Sequence, residues 1–320
     1  MNPTVFEQCI AAKDFDQLYA ATSLEFQQLV PSDDFIRTMQ EFCHGNDSFH
    51  LVYDNPLLNF HHYTWLNDRK DEAISVTFDS NYTIKSLYVC PVETHPMLDR
   101  KLTKNTYEMP FLGEWYVFWG GTNQFQNYHY NYPNQRYAYD FVKVQNNSTY
   151  SDMPTRNGNY YAYGETVVAP CHGTVVDIED GIADNAPGDM NKEQPAGNYI
   201  VIEHPHNEFS FIAHLEQNSI IVNVGDSVIT GQPIARCGNS GNSSEPHIHF
   251  HVMNCADFNE STSINIRFSQ DAPVQGDLVH YSDYKQKQKQ KTDTWDKVET
   301  TMTFTDIILL VPRIFLQFFK

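Results

Sequence analysis

Residues 247–252 constrain the fold and the chemistry of this chain more than any other segment. Their sequence, His-Ile-His-Phe-His-Val, alternates imidazole and apolar side chains. Because successive side chains of a β-strand point to opposite faces, the pattern predicts a strand with three histidines on one face and a core on the other. Two imidazoles at positions i and i+2 can serve one metal centre, as two ligands or as a ligand beside an acid or base. A strand whose polar face is merely rich in histidine is the alternative interpretation.

Several short motifs precede this strand in a defined order. They are Ala-Tyr-Asp-Phe at 138–141, Val-Ala-Pro-Cys-His-Gly-Thr-Val-Val at 168–176, His-Leu at 214–215, Gly-Asp-Ser-Val-Ile-Thr-Gly-Gln at 225–232 and Gly-Asn-Ser-Gly at 238–241. The ordered set closely resembles the lysostaphin-type (LytM-like) zinc metallopeptidases, which cut peptide cross-links in bacterial cell walls. The resemblance covers about half of the chain.

This resemblance implies an all-β antiparallel peptidase domain, over residues 111–270, that binds one zinc ion. It implies an endopeptidase that hydrolyses peptide bonds in peptidoglycan with a zinc-activated water. Carried over residue by residue, it makes Asp140 and His249 zinc ligands and makes His214 and His247 the catalytic pair. One of these two imidazoles would orient or deprotonate the water, and the other would stabilise the tetrahedral oxyanion.

One position departs from the family pattern. The family places its first histidine four residues before the aspartate, where this chain has Arg136. Arginine keeps its proton in proteins and cannot ligate zinc. The nearest upstream histidine is His129, and a turn-rich loop at 131–135 would bring it back to the metal, so we expect His129 to be the third ligand. A degenerate site is the alternative. Arg136 is instead suited to contact a substrate carboxylate through its planar guanidinium.

Other residues near these motifs have less specific interpretations. We expect His251, which shares a strand face with His249, to contact a metal ligand. The aromatic residues between 115 and 132 are expected to pack in the β core, with a substrate groove as the alternative. The acidic residues of 177–195 match no calcium-loop spacing and predict a solvated loop.

Residues 1–95 predict a small α+β domain, with three helices followed by an antiparallel sheet. Apolar residues from Phe6 to Leu29 recur at helical intervals in two segments, and Ser32 before two aspartates predicts the N-cap of a third helix. Four alternating runs between 49 and 89 predict the strands. This layout resembles the nuclear-transport-factor-like α+β fold.

The remaining segments predict connections. Residues 96–110 lack periodicity and predict a linker, and residues 271–320 predict a tail with a polar loop at 285–291. An apolar segment at 304–319 is interrupted and too short to span a bilayer, so we expect it to pack on the body, with interfacial membrane contact as the alternative. Residues 1–12 lack a signal-peptide pattern, so an envelope or extracellular location is expected only from the inferred substrate.

Charge and cysteine content exclude several classes. With 40 acidic and 21 basic residues the formal net charge is −19, which argues against a nucleic-acid partner. The six cysteines form no C-x-x-C pair, so a thiolate zinc cluster is not indicated.

Two functions other than peptide hydrolysis remain open. The first is a catalytically degenerate family member that binds wall peptides or regulates another hydrolase. The second is a phosphoryl carrier with a reactive histidine, since sugar phosphotransferase proteins can have a related barrel. The combination of Asp140 with His214, His247 and His249 argues against the carrier, because phosphoryl carriage needs no carboxylate ligand.

Overall fold

The computed structural model describes residues 1–45 and 48–281, which are mostly sheet with few helices. The chain divides into two compact units, with the boundary between Thr94 and His95. None of the described helices has the length and apolar character needed to cross a lipid bilayer. The predicted polar loop at 285–291 and the predicted apolar segment at 304–319 lie outside the described residues.

Four short helices open the first unit, where the sequence pattern predicted three. They are α1 (Pro3–Ala12), α2 (Phe15–Ala20), α3 (Leu24–Leu29) and α4 (Ser32–Phe42). The difference arises because polar caps divide the first 29 residues. The Asp14 side chain accepts a bond from the backbone of Gln17 at the start of α2, and the Ser23 side chain accepts one from Phe26 at the start of α3. Ser32 is the first residue of α4 rather than its N-cap, which is Pro31.

Four antiparallel strands follow in chain order: β1 (Phe49–Leu57), β2 (Phe60–Asn67), β3 (Glu72–Asp79) and β4 (Ile84–Pro91). Alternation along β2 and β3 directs apolar side chains such as Trp65 and Phe78 towards the helices. Phe6 of α1 stacks on Trp65 at a centroid distance of 4.7 Å. This apolar cluster is the core of the first unit.

The second unit is built on an antiparallel sheet. It contains helix α5 (Pro96–Asp99) and strands β5 (Glu114–Trp119), β6 (Tyr139–Val142), β7 (Thr166–Val168), β8 (Gly173–Glu179), β9 (Asn198–His204), β10 (Glu208–Leu215), β11 (Ser227–Val228), β12 (Pro233–Arg236), β13 (Ile248–Met253), β14 (Ser263–Ile264) and β15 (Leu278–His280). The main sheet has the order β11-β8-β9-β10-β13-β6-β5-β15, with β14 beside β13, while β12 and β7 form a separate pair. The order β10-β13-β6 brings three distant segments of the chain side by side.

The second unit extends beyond the predicted boundaries at both ends. Residues 96–110, predicted as a linker, lie against the sheet. Tyr107 is fully buried and forms an isolated β-bridge with Phe268. The buried Glu208 accepts bonds from the backbone nitrogens of Lys104 and Asn105. At the other end, β15 lies in the predicted tail and pairs with β5. Isolated bridges and a three-residue strand leave no periodicity in the sequence, which is why the pattern missed them.

Candidate metal centre

Asp140 on β6 and His249 on β13 face each other in the middle of the main sheet. They are direct partners in the antiparallel register, and His249 Nδ1 lies 2.9 Å from Asp140 Oδ1. Their strand neighbours Phe141 and Phe250 are buried in the core, so the alternation predicted for β13 directs the polar residues to the opposite face. Asp140 is 5% exposed and His249 is 4% exposed.

His129 completes this group from a 3-10 turn at Tyr128–Asn131. Its Nε2 lies 3.0 Å from Asp140 Oδ2. One candidate ligand atom from each of His129, Asp140 and His249 lies within 4.8 Å of the other two. The structure therefore brings together the three residues predicted as zinc ligands, which come from three separate stretches of the chain.

Asn127 holds the turn that carries His129. The Asn127 side chain is fully buried, and its Oδ1 accepts a bond from the backbone nitrogen of His129 at 3.1 Å. Its Nδ2 donates to the carbonyl oxygens of Gly121, Arg136 and Ala138, at 3.0, 3.3 and 3.0 Å. One amide thus ties the start of the 127–138 loop to its end. The sequence offered no signal for this role, because a single asparagine in an aromatic stretch has no diagnostic spacing.

Arg136, at the family's usual first-ligand position, supports the same loop. It is 5% exposed, its guanidinium donates to the carbonyl oxygen of Tyr130, and it lies 5.2 Å from the centre of the Tyr130 ring. The hydroxyls of Tyr130 and Tyr137 both donate to Asp99. These contacts engage Arg136 within the loop, which does not fit the hypothesis that it binds a substrate carboxylate.

His214 and His247 lie beside the three predicted ligands, with their ring centroids 4.7 Å apart. His214 Nδ1 lies 2.8 Å from the carbonyl oxygen of Ser240, and His247 Nδ1 lies 2.9 Å from that of Glu245. Because a carbonyl oxygen only accepts, each neutral ring carries its proton on Nδ1 and keeps a lone pair on Nε2. His247 Nε2 lies 3.8 Å from Asp140 Oδ1.

The backbone at His214 is strained. This residue has a φ of 63°, in the left-handed region, and the β9–β10 register shifts between Ile212 and Leu215. Non-glycine residues rarely adopt this backbone conformation, and those that do cluster at functional sites. The irregularity directs the His214 ring to the same region as His247.

A family model for peptidase family M23 matches residues 159–265. This chain contains a peptidase family M23 domain. The resemblance predicted from the motifs is therefore confirmed. The matched residues of the M23 domain include His214, His247 and His249, while His129 and Asp140 precede them.

Two curated relatives of the M23 domain come from Vibrio cholerae. Peptidoglycan DD-endopeptidase ShyA is 35% identical over 91 residues, which are 27% of this chain and 21% of that protein. Peptidoglycan DD-endopeptidase ShyB is 36% identical over 91 residues, with the same shares. This chain thus spans about a fifth of the length of either relative.

Solved structures similar to the M23 domain include the catalytic domain of lysostaphin from Staphylococcus simulans. That structure is 25% identical, covers 36% of this chain and 85% of its own, and has a TM-score of 0.25. A zinc-containing peptidase from Vibrio cholerae is 17% identical, covers 67% and 57% of the two chains, and has a TM-score of 0.28.

Residues 180–195 of the M23 domain pack against the loop that supplies the Ser240 and Glu245 carbonyls. Asp184 accepts a bond from the backbone nitrogen of Asn239 at 2.7 Å. Asn185 Nδ2 donates to the carbonyl oxygens of Gly241 and Ser243, at 2.7 and 2.8 Å. The prediction of a solvated acidic loop is therefore wrong for Asp184, whose carboxylate binds a backbone nitrogen, whereas Asp189 and Glu193 are exposed as predicted.

Burial and charge set the protonation states at the candidate metal centre. Burial opposes ionisation of Asp140, but the neighbouring His129 and His247 and the bond from His249 hold its pKa well below the usual range. Burial also lowers the pKa of His214 well below its ordinary value, and it lowers the pKa of His249. An anionic Asp140 beside a neutral His249 is the protonation pattern that a divalent cation requires of these two residues.

Proposed function

We propose that this chain is a zinc-dependent endopeptidase that hydrolyses peptide bonds in bacterial peptidoglycan. The observation that carries the proposal is the convergence of His129, Asp140 and His249 beside two further imidazoles, those of His214 and His247. The names of the relatives ShyA and ShyB support the substrate class. A substrate of this kind places the protein at the cell envelope or outside the cell.

The donor set fits zinc. Two imidazoles and one carboxylate are ligands that hydrolytic zinc sites use, with a further position open to water or substrate. Their candidate ligand atoms lie within 4.8 Å of one another, so small side-chain adjustments bring all three to bonding distance from one ion. A bound zinc ion would act as a Lewis acid and lower the pKa of water towards neutrality.

The two remaining histidines divide the proton transfers. His214 stays neutral in its buried position and offers its Nε2 lone pair, so we assign it as the general base that takes a proton from the attacking water. His247 Nε2 lies 3.8 Å from Asp140 Oδ1 and faces the same centre, where a proton on this nitrogen would be available for donation. We assign His247 as the donor that stabilises the developing oxyanion.

The test combines metal analysis with digestion of purified peptidoglycan and mass spectrometry of the released fragments. We expect about one equivalent of zinc, reduced in His129→Ala and in His249→Ala. His214→Ala should retain zinc and lose digestion by about 10²–10⁴-fold. The exposed His172 provides a matched control, since His172→Ala should change neither zinc content nor digestion.

Two outcomes would contradict the proposal. A zinc-loaded protein that binds wall material without releasing fragments would be a degenerate member that binds peptides. Zinc content unchanged by His129→Ala would exclude His129 as a ligand.

The first unit is assigned no chemistry in this scheme. We propose that it is an α+β module of the nuclear-transport-factor-like type.

A further inference from the structure

His251 is a fully buried imidazole next to a proposed metal ligand. It lies two residues beyond His249 on β13, and its Nδ1 is 3.0 Å from His249 Nε2. The rings of Phe211 and Phe258 flank it, with centroid distances of 5.1 and 5.9 Å. A polar ring thus occupies an apolar niche and uses one nitrogen to touch the ligand.

The second nitrogen of His251 makes this arrangement costly. Its Nε2 is buried and has no hydrogen-bond partner among the described residues. An unsatisfied buried polar atom is destabilising, and phenylalanine in the same niche would avoid that cost. His204, another buried histidine of the second unit, has partners on both nitrogens, His172 O and Ser210 Oγ. The contact between His251 and His249 therefore calls for an explanation other than packing.

The partners of His249 determine where its proton lies in the metal-free protein. His249 Nδ1 is 2.9 Å from a carboxylate oxygen of Asp140, which only accepts, so the proton is on Nδ1. His249 Nε2 is then an acceptor. His251 Nδ1, 3.0 Å away, must donate to it.

If a metal ion were held by His249 Nδ1, this direction would reverse. Nδ1 is the nitrogen of His249 on the Asp140 side, and a ligand nitrogen offers a lone pair instead of a proton. The neutral His249 ring then carries its proton on Nε2 and donates to His251 Nδ1. Each ring keeps one proton in both states, with the proton moved from Nδ1 to Nε2 in both rings.

We propose that His251 is a positioning residue that holds His249 through a hydrogen bond whose direction reverses on metal binding. This inference rests on the proposed zinc site. Imidazole suits the role because one nitrogen can donate in one tautomer and accept in the other, whereas a carboxylate or a carbonyl could only accept. His251 thus fixes the orientation of the His249 ring before and after the metal enters.

Long-range ¹H–¹⁵N NMR of the full-length protein with labelled histidine tests the reversal without any variant. In the metal-free protein we expect His249 and His251 to carry their protons on Nδ1. After addition of zinc ions alone, both protons should be on Nε2. An unchanged His251 tautomer on zinc addition, with zinc bound, would overturn the proposal.

Variants of His251 test its effect on metal affinity. His251→Phe preserves a ring in the niche but removes the partner of His249, so zinc affinity measured against a competing chelator should fall about 10–100-fold. His251→Gln, whose amide can donate or accept, should recover most of the loss. His204→Phe is the matched control and should leave zinc affinity unchanged.

The outcomes separate this proposal from the proposed function. Wild-type zinc affinity in a folded His251→Phe would refute the positioning role while leaving the peptidase assignment intact. Normal tautomer reversal in a protein that does not digest peptidoglycan would refute the peptidase assignment alone.

Discussion

Replacing Asn127 by alanine should release His129 from its place beside Asp140. The Asn127 side chain makes four hydrogen bonds, one from the His129 backbone and three to the carbonyl oxygens of Gly121, Arg136 and Ala138. At about 0.5–1.5 kcal/mol each, their loss lowers the free energy of unfolding of the second unit by about 2–6 kcal/mol. A domain stable by about 10 kcal/mol, the middle of the usual range, remains mostly folded after such a loss.

Asn198 provides a control of the same residue type and burial. Its side chain also makes four hydrogen bonds, which join Gly181, Ile182 and Leu215, and none of them reaches a proposed ligand. Asn198→Ala should therefore cost a similar free energy of unfolding. Its zinc affinity should be that of the wild type.

Urea denaturation and chelator competition measure the two effects separately. Asn127→Ala and Asn198→Ala should shift the unfolding midpoint of the second unit by similar amounts, while zinc affinity falls about 10–100-fold in Asn127→Ala alone. Equal zinc affinities in the two variants would refute the role of Asn127 in placing His129.

Three further predictions concern the second unit. Asn185→Ala removes the bonds to the carbonyl oxygens of Gly241 and Ser243, so kcat for peptidoglycan digestion should fall while zinc content stays constant. An unchanged kcat would contradict the idea that the 238–245 loop positions His214 and His247. Glu208→Ala removes the acceptor for the backbone nitrogens of Lys104 and Asn105, so limited proteolysis should cut near these two residues sooner than in the wild type. Glu203→Ala, at an exposed position, is the control. Equal cleavage rates in the two variants would show that Glu208 does not hold residues 104–105 in place. Burial lowers the pKa of His204 from 6.5 to about 4, so its neutral form is favoured in the folded state. Its contribution to the free energy of unfolding is complete above about pH 6.5 and declines by about 1.4 kcal/mol per pH unit down to about pH 4, so urea denaturation across this range should show a slope that His204→Gln reduces.

Much of the polar centre could be predicted from the sequence because successive side chains of a β-strand point to opposite faces. Alternation around His249 determines which side chains share a face, and the ordered motifs supply the residues to pair with it. His129 could be chosen because it is the nearest histidine upstream of Asp140 once Arg136 is excluded chemically.

The supports of that centre could not be predicted in the same way. Asn127, Asp184 and Asn185 act through bonds from side chains to distant backbone groups. Such bonds have neither a period nor a fixed spacing, so nothing in the local sequence distinguishes these residues from polar loop residues. The linker prediction differed from the structure for a related reason, since Tyr107 joins the sheet by an isolated bridge.

The contact between residues 180–195 and the 238–245 loop has a consequence for protein engineering. Gly241 approaches Pro195 so closely that a Cβ atom on Gly241 would lie 2.7 Å from the Pro195 carbonyl oxygen. A chimera that takes only one of these two segments from a related enzyme would have poorly fitting contacts between them. Both segments should be replaced together, so that the Ser240 and Glu245 carbonyl oxygens keep their positions as acceptors for His214 and His247.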